Sequence, residues 1–183
     1  MRSLAFFVSA IGWLNAVIGR TFAWLSLGAV LVCFTVVVQR YLFDTTQLWM
    51  QDLYVWLNGA MFMAVAGYGL LTEGHVRVDI FYRPGSVRRK AVLDLIGVLI
   101  FLLPFCAVLA LWSHEYVARS WRLFEASANP GGMPGLFILK SFITLFVILV
   151  SLQGLAMLGR SVLVLSGRES LLPERFRYGG NAA

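Results

Sequence analysis

Apolar residues fill four long runs of the chain, about Phe22–Leu42, Leu53–Leu71, Ala91–Trp112 and Phe142–Leu165, each with few charges inside it. Crossing a hydrocarbon core about 30 Å thick takes roughly 20 helical residues, and each run has that length. In lipid every backbone N–H and C=O must be satisfied within its own segment, so the runs are predicted to be helices; membrane-crossing strands would be half as long and would alternate apolar with polar residues. The pattern therefore predicts an all-α integral membrane protein: four transmembrane helices in one domain over residues 1–170, with 171–183 as a loosely ordered tail.

Between the runs the pattern changes. Leu4, Phe7, Val8, Ile11, Leu14 and Ile18 recur at helical spacing, which predicts an N-terminal helix that lies in the membrane interface or leans on the bundle. No convincing cleavage site follows it, which argues against a removed leader. The short polar turn "DTTQ" joins runs one and two, so they should pack as an antiparallel hairpin. Gly59, Ala60, Ala64, Gly67 and Gly69 give run two small faces on which another helix can close. Ser86 is a plausible helix start for run three, and Pro104 is expected to kink it. Beyond Trp112, Tyr116, Val117, Trp121 and Phe124 keep helical spacing among charges, as in an extension that dips into the interface on the far side. "NPGGMPG" then breaks the helix. Gln153 is the one strongly polar side chain in the interior of run four, Arg160 lying near its end.

Composition supports this reading: 60% of the residues are hydrophobic and 13% charged, with mean hydropathy +0.80, well outside the balance of a soluble domain. The net charge of +6 matters through its placement. Arg2 and Arg20 precede run one. Arg77, Arg83, Arg88, Arg89 and Lys90 separate runs two and three, and Arg160, Arg168, Arg175 and Arg177 come last. By the positive-inside rule both termini and the 72–90 loop face the cytoplasm. Such charge attracts anionic lipid and gives no sign of nucleic-acid binding.

Several side chains invite a chemical reading. Arg40 and Asp52 lie at nearly the same depth across the first hairpin and are expected to pair; the plainer reading has both facing headgroups and water. Asp94 lies one turn inside its boundary, where a carboxylate needs a partner, expected from the adjacent basic cluster or from another protein. In "EGHVRVDIFY", residues 73–82, His75 and Asp79 are four apart and Glu73 could add an oxygen, but one nitrogen ligand and no second motif make a poor metal site. A turn at the membrane surface explains the stretch better. His75 and His114 fall on opposite sides of the membrane and cannot share a haem iron. Cys33 and Cys106 lie within runs and make no CxxC centre. No metal, cofactor or catalytic residue is assigned. A transporter working alone would need repeats and polar groups at mid-membrane, whereas this chain has no obvious internal repeat and its intramembrane polarity is limited largely to Asn58, Asp94 and Gln153; a free-standing protein with a redox or metal-binding role stands as the alternative to a partner subunit.

"RYLF" with Arg40 and Tyr41, "WMQDL" with Trp49 and Asp52, "EGHVRVD" with His75 and Asp79, and "EASANPGGMPGLFILK" with Glu125 and Lys140 occur in an order that resembles the small membrane subunit, the Q-type small permease, of tripartite ATP-independent periplasmic (TRAP) transporters. The resemblance extends over roughly Ile18 to Leu165. Asp52 departs slightly, because the family more often carries Glu there. The resemblance implies a non-catalytic multi-pass subunit of the bacterial inner membrane, packed on a large permease that holds the substrate and sodium sites. It also implies a periplasmic binding protein that delivers an organic acid. On the same basis Arg40, Trp49, Asp52, Glu125 and Lys140 become candidates for the periplasmic and scaffold interface, and His75 and Asp79 organisers of the cytoplasmic turn. "NPGGMPG" resembles the branch that takes keto or hydroxy monocarboxylates, chloroaromatic acids or similar compounds.

Overall fold

The computed structural model describes residues 1–72, 85–173 and 176–177, which form helices joined by turns. Helix α1 (Arg2–Ala23) and α2 (Leu25–Leu42) are separated by Trp24 alone and make one rod of 41 residues. Then come α3 (Leu48–Leu71), α4 (Val87–Gly97), a π turn (Val98–Leu102), α5 (Leu103–Arg122), α6 (Leu136–Leu165) and a 3₁₀ turn (Glu169–Leu171). Among the described residues four helical stretches are long and apolar enough to cross a membrane, as the apolar runs predict. The expected first run, Phe22–Leu42, is the second half of a rod that begins at Arg2.

Helix α6 is the centre of the bundle and packs against α1, α3, α4 and α5. Its inward residues, among them Leu149, Gln153, Gly154, Ala156, Gly159 and Leu163, are buried, whereas α2 buries Val36 alone. Between the two open alternatives for the N-terminal helix, the structure selects the bundle. Ala5, Val8 and Ile11 of α1 share a core with Ala156, Leu163 and Leu172. The two helices run antiparallel: Phe22 meets Phe142 edge-on at 5.7 Å, and Val8 sits over Gly159 at the other end. The small face of α3 is also used for packing, with Ala60, Ala64 and Gly67 buried. At Gly67 any Cβ would run into the Asn15 carboxamide and come within 3.2 Å of Leu149. Close approach of this kind is what glycine permits between membrane helices, where van der Waals contact drives association.

Ser86 caps α4 as expected, its Oγ accepting from the Arg89 N–H at 3.4 Å. Pro104 acts differently from a simple kink. It has no N–H to offer the preceding turn, and the helix widens just before it, so that the Leu103 N–H donates to the carbonyl of Val98, five residues back. A π turn absorbs the missing donor without breaking the helix. Val98 and Leu102 press this wide turn onto Gly154 of α6.

Candidate functional site

Polar side chains gather at two levels of the bundle. At the first, the chain leaves α5 by a left-handed turn at Phe124 (φ 43°), with the Glu125 N–H donating to the Ser120 carbonyl at 3.1 Å. This is the six-to-one closure that ends many helices, made here without the usual glycine. The Phe124 ring holds the turn against Phe137 at 5.7 Å. The turn carries Glu125 to Lys140 on α6, 2.5 Å away, and the Lys140 ammonium lies 3.9 Å from the Tyr116 ring centroid. Lys140 so fastens the loop to α5 and α6 together. Its hydrogen bond is the main reason the Glu125 carboxyl titrates below the ordinary glutamate range. Beside it the Trp121 indole donates to Ser141 Oγ at 2.8 Å and stacks edge-on over Phe137 at 4.6 Å.

Asp52, one turn into α3, organises the rest of the loop. Its Oδ1 accepts from the Asn129 amide and its Oδ2 from the Met133 N–H, each at 3.0 Å. Ser127 N–H donates to the Met133 carbonyl at 3.0 Å, and Gly132 N–H to the Asn129 carbonyl at 2.9 Å. Gly132 has no alternative, because any Cβ would strike the Asp52 carboxylate and Ser127. The expected pair of Asp52 with Arg40 is therefore corrected: the carboxylate is buried (8% exposed) and occupied by the "NPGGM" loop, while Arg40 is exposed in the last turn of α2. A cation at a helix C-terminus is favoured by the free carbonyls there, which accounts for Arg40 without a carboxylate partner. Trp49 is 43% exposed, its indole donating to Gln47 at 3.2 Å.

At the second level, Asp94 of α4 accepts from Arg160 of α6 at 2.9 Å, and both side chains are nearly buried. Asp94 thus has a counter-charge within this chain, from a residue outside the adjacent basic cluster. Arg160 had been legible only as one more positive charge near the end of the chain. Between Lys140 and Arg160 the α6 sequence carries no charge, and twenty residues of helix rise about 30 Å, the thickness of a hydrocarbon core. The two ion pairs bracket that thickness. Within it lies a buried side-chain hydrogen bond between α1 and α6, Asn15 Nδ2 to Gln153 Oε1 at 3.0 Å. His75 and Asp79 fall in residues 73–84, outside the described residues.

Among the described residues no three of His, Cys, Asp and Glu come together. What the arrangement does is fasten helices and hold a loop in one shape. Residues 29–163 match the family described as tripartite ATP-independent periplasmic transporters, DctQ component. No curated protein and no solved structure matches the chain.

Proposed function

Because the chain belongs to the DctQ component family of tripartite ATP-independent periplasmic transporters, and is thus a small membrane subunit of a transporter rather than an enzyme, we propose that it serves as the scaffold on which the large permease works. The match over 29–163 carries this reading, since it takes in α2 through α6 and both ion-pair levels. In this role the chain packs on a large permease subunit in the bacterial inner membrane, with both termini cytoplasmic. It supports sodium-driven uptake of an organic acid that a periplasmic binding protein delivers.

The placement of the candidate residues supports that role. Asp52, Glu125 and Lys140 shape the loop at the end of the bundle that positive-inside counting assigns to the periplasm. Arg40 and Trp49 stand exposed at the same end, available to the permease or to the binding protein. Helix α2 buries one residue of eighteen within this chain, leaving its flanks for lipid and the permease.

The test is reconstitution of uptake with the binding protein, the large permease and this chain. Omitting this chain is expected to abolish uptake of the cognate organic acid, and the chain is expected to co-purify with the large permease. Uptake that proceeds unchanged without it, or a chain that purifies alone with stoichiometric metal or pigment, would overturn the reading.

A further inference from the structure

A groove of about 560 Å³ opens on the flank of the bundle where the π turn widens the helix. Leu70 of α3 and Met157 of α6 line it together with Leu93, Gly97, Phe101 and Phe105. Phe101 and Phe105 are 71% and 55% exposed, so the groove faces the surroundings of the bundle. At Gly97 a side chain would meet nothing within 4 Å.

Length and charge identify the occupant. From Leu93 to Phe105 a helix rises about 18 Å, close to half of a hydrocarbon core of about 30 Å. A partner's crossing helix needs the whole thickness, whereas an acyl chain of one leaflet needs half. One end of the groove is also marked by charge: Arg89 stands one turn before Leu93 on the same helix face and is exposed. Asp94 lines the groove too, but Arg160 neutralises it at 2.9 Å. The surface thus runs from basic to apolar along one leaflet depth, the profile of an anionic phospholipid.

We propose that this groove binds one acyl chain of an anionic phospholipid from the leaflet that meets the start of α4, with the lipid phosphate held by Arg89. The site needs only the membrane and stands apart from the transport reading.

The full-length chain, purified in mild detergent and supplied with phosphatidylglycerol or phosphatidylcholine, tests this by native mass spectrometry. Wild type is expected to retain one phosphatidylglycerol in preference to phosphatidylcholine. Arg89→Gln should lower phosphatidylglycerol retention roughly fivefold, the share of one basic side chain at an anionic surface, and leave phosphatidylcholine unchanged. Gly97→Phe fills the groove and should abolish retention of both; Gly97→Leu, a smaller plug, gives the same answer should the larger side chain disturb folding, which circular dichroism reports. Equal retention by the folded plugged variants and wild type overturns the proposal, and so does equal retention of the two lipids. A cysteine replacing Phe101 that crosslinks to the large permease in a lipid-free complex would assign the groove to protein instead.

Discussion

Replacing Asp52 with alanine leaves the Asn129 amide and the Met133 N–H without their acceptor. Losing one partner of a buried hydrogen bond costs about 1–3 kcal/mol, so Asp52→Ala should loosen the 125–135 loop, seen as faster proteolytic cleavage there while the helices stay intact. An unchanged cleavage rate would mean that the loop holds its shape by itself. Glu125 gives a prediction in pH. Its carboxyl titrates below the ordinary glutamate value of 4.5 because Lys140 bonds it. A carboxylate depressed in the folded state stabilises fully above its unfolded pKa and loses that contribution as pH falls through the lowered folded one. Hydrogen exchange in the loop should therefore be flat from neutral pH to about 4.5 after correction for intrinsic rates, rise below it, and in Glu125→Gln be raised already at neutral pH with no such acid step.

Asp94 and Arg160 belong to the scale of elements, because they join α4 to α6. Removing one partner of a buried pair costs about 3–5 kcal/mol, whereas replacing both partners with apolar side chains is often neutral or better. Asp94→Leu or Arg160→Leu alone should sharply lower stability in micelles, and the double variant should recover most of it; a double variant as weak as either single would show that the pair itself is indispensable. The elements were legible in the sequence because length and apolarity alone decide what spans a bilayer. Their partners were not. Asp52 and Arg40 share a depth, but depth says nothing of helical phase, and Asp52 faces the loop that follows α5. Arg160, in "LAMLGRSVLVL", lies near the end of its helix and Asp94 within two turns of the start of its own, an arrangement of opposite charges on antiparallel helices that could have revealed the pair. Asn15 gave no such signal, since its partner Gln153 lies 138 positions away. Pro104 signalled a disturbance, and the geometry of that disturbance depended on Gly154 accepting a widened turn.

Across the whole molecule the helices are longer than the membrane is thick. The α1–α2 rod has 41 residues, about 61 Å at helical rise, against roughly 40–45 Å for a bilayer with its headgroups. Such a rod must tilt or protrude. The contacts of α1 bear on this, since it lies along the uncharged length of α6, from Val8 over Gly159 to Phe22 beside Phe142. All of α1 precedes the family match, which begins at residue 29, yet its Ala5, Val8 and Ile11 complete the core with Leu163 and Leu172. If α1 is structural in the bundle rather than a surface attachment, removing residues 2–20 must expose that core and strip Gln153 of its donor. The truncated chain should then unfold at lower temperature in detergent and elute as a broader species, while Asn15→Leu in the full chain, which removes only the hydrogen bond, should fall between the two. A truncated chain as stable and compact as the full one would instead mean that α6, α3, α4 and α5 form the bundle alone, with α1 merely resting on them.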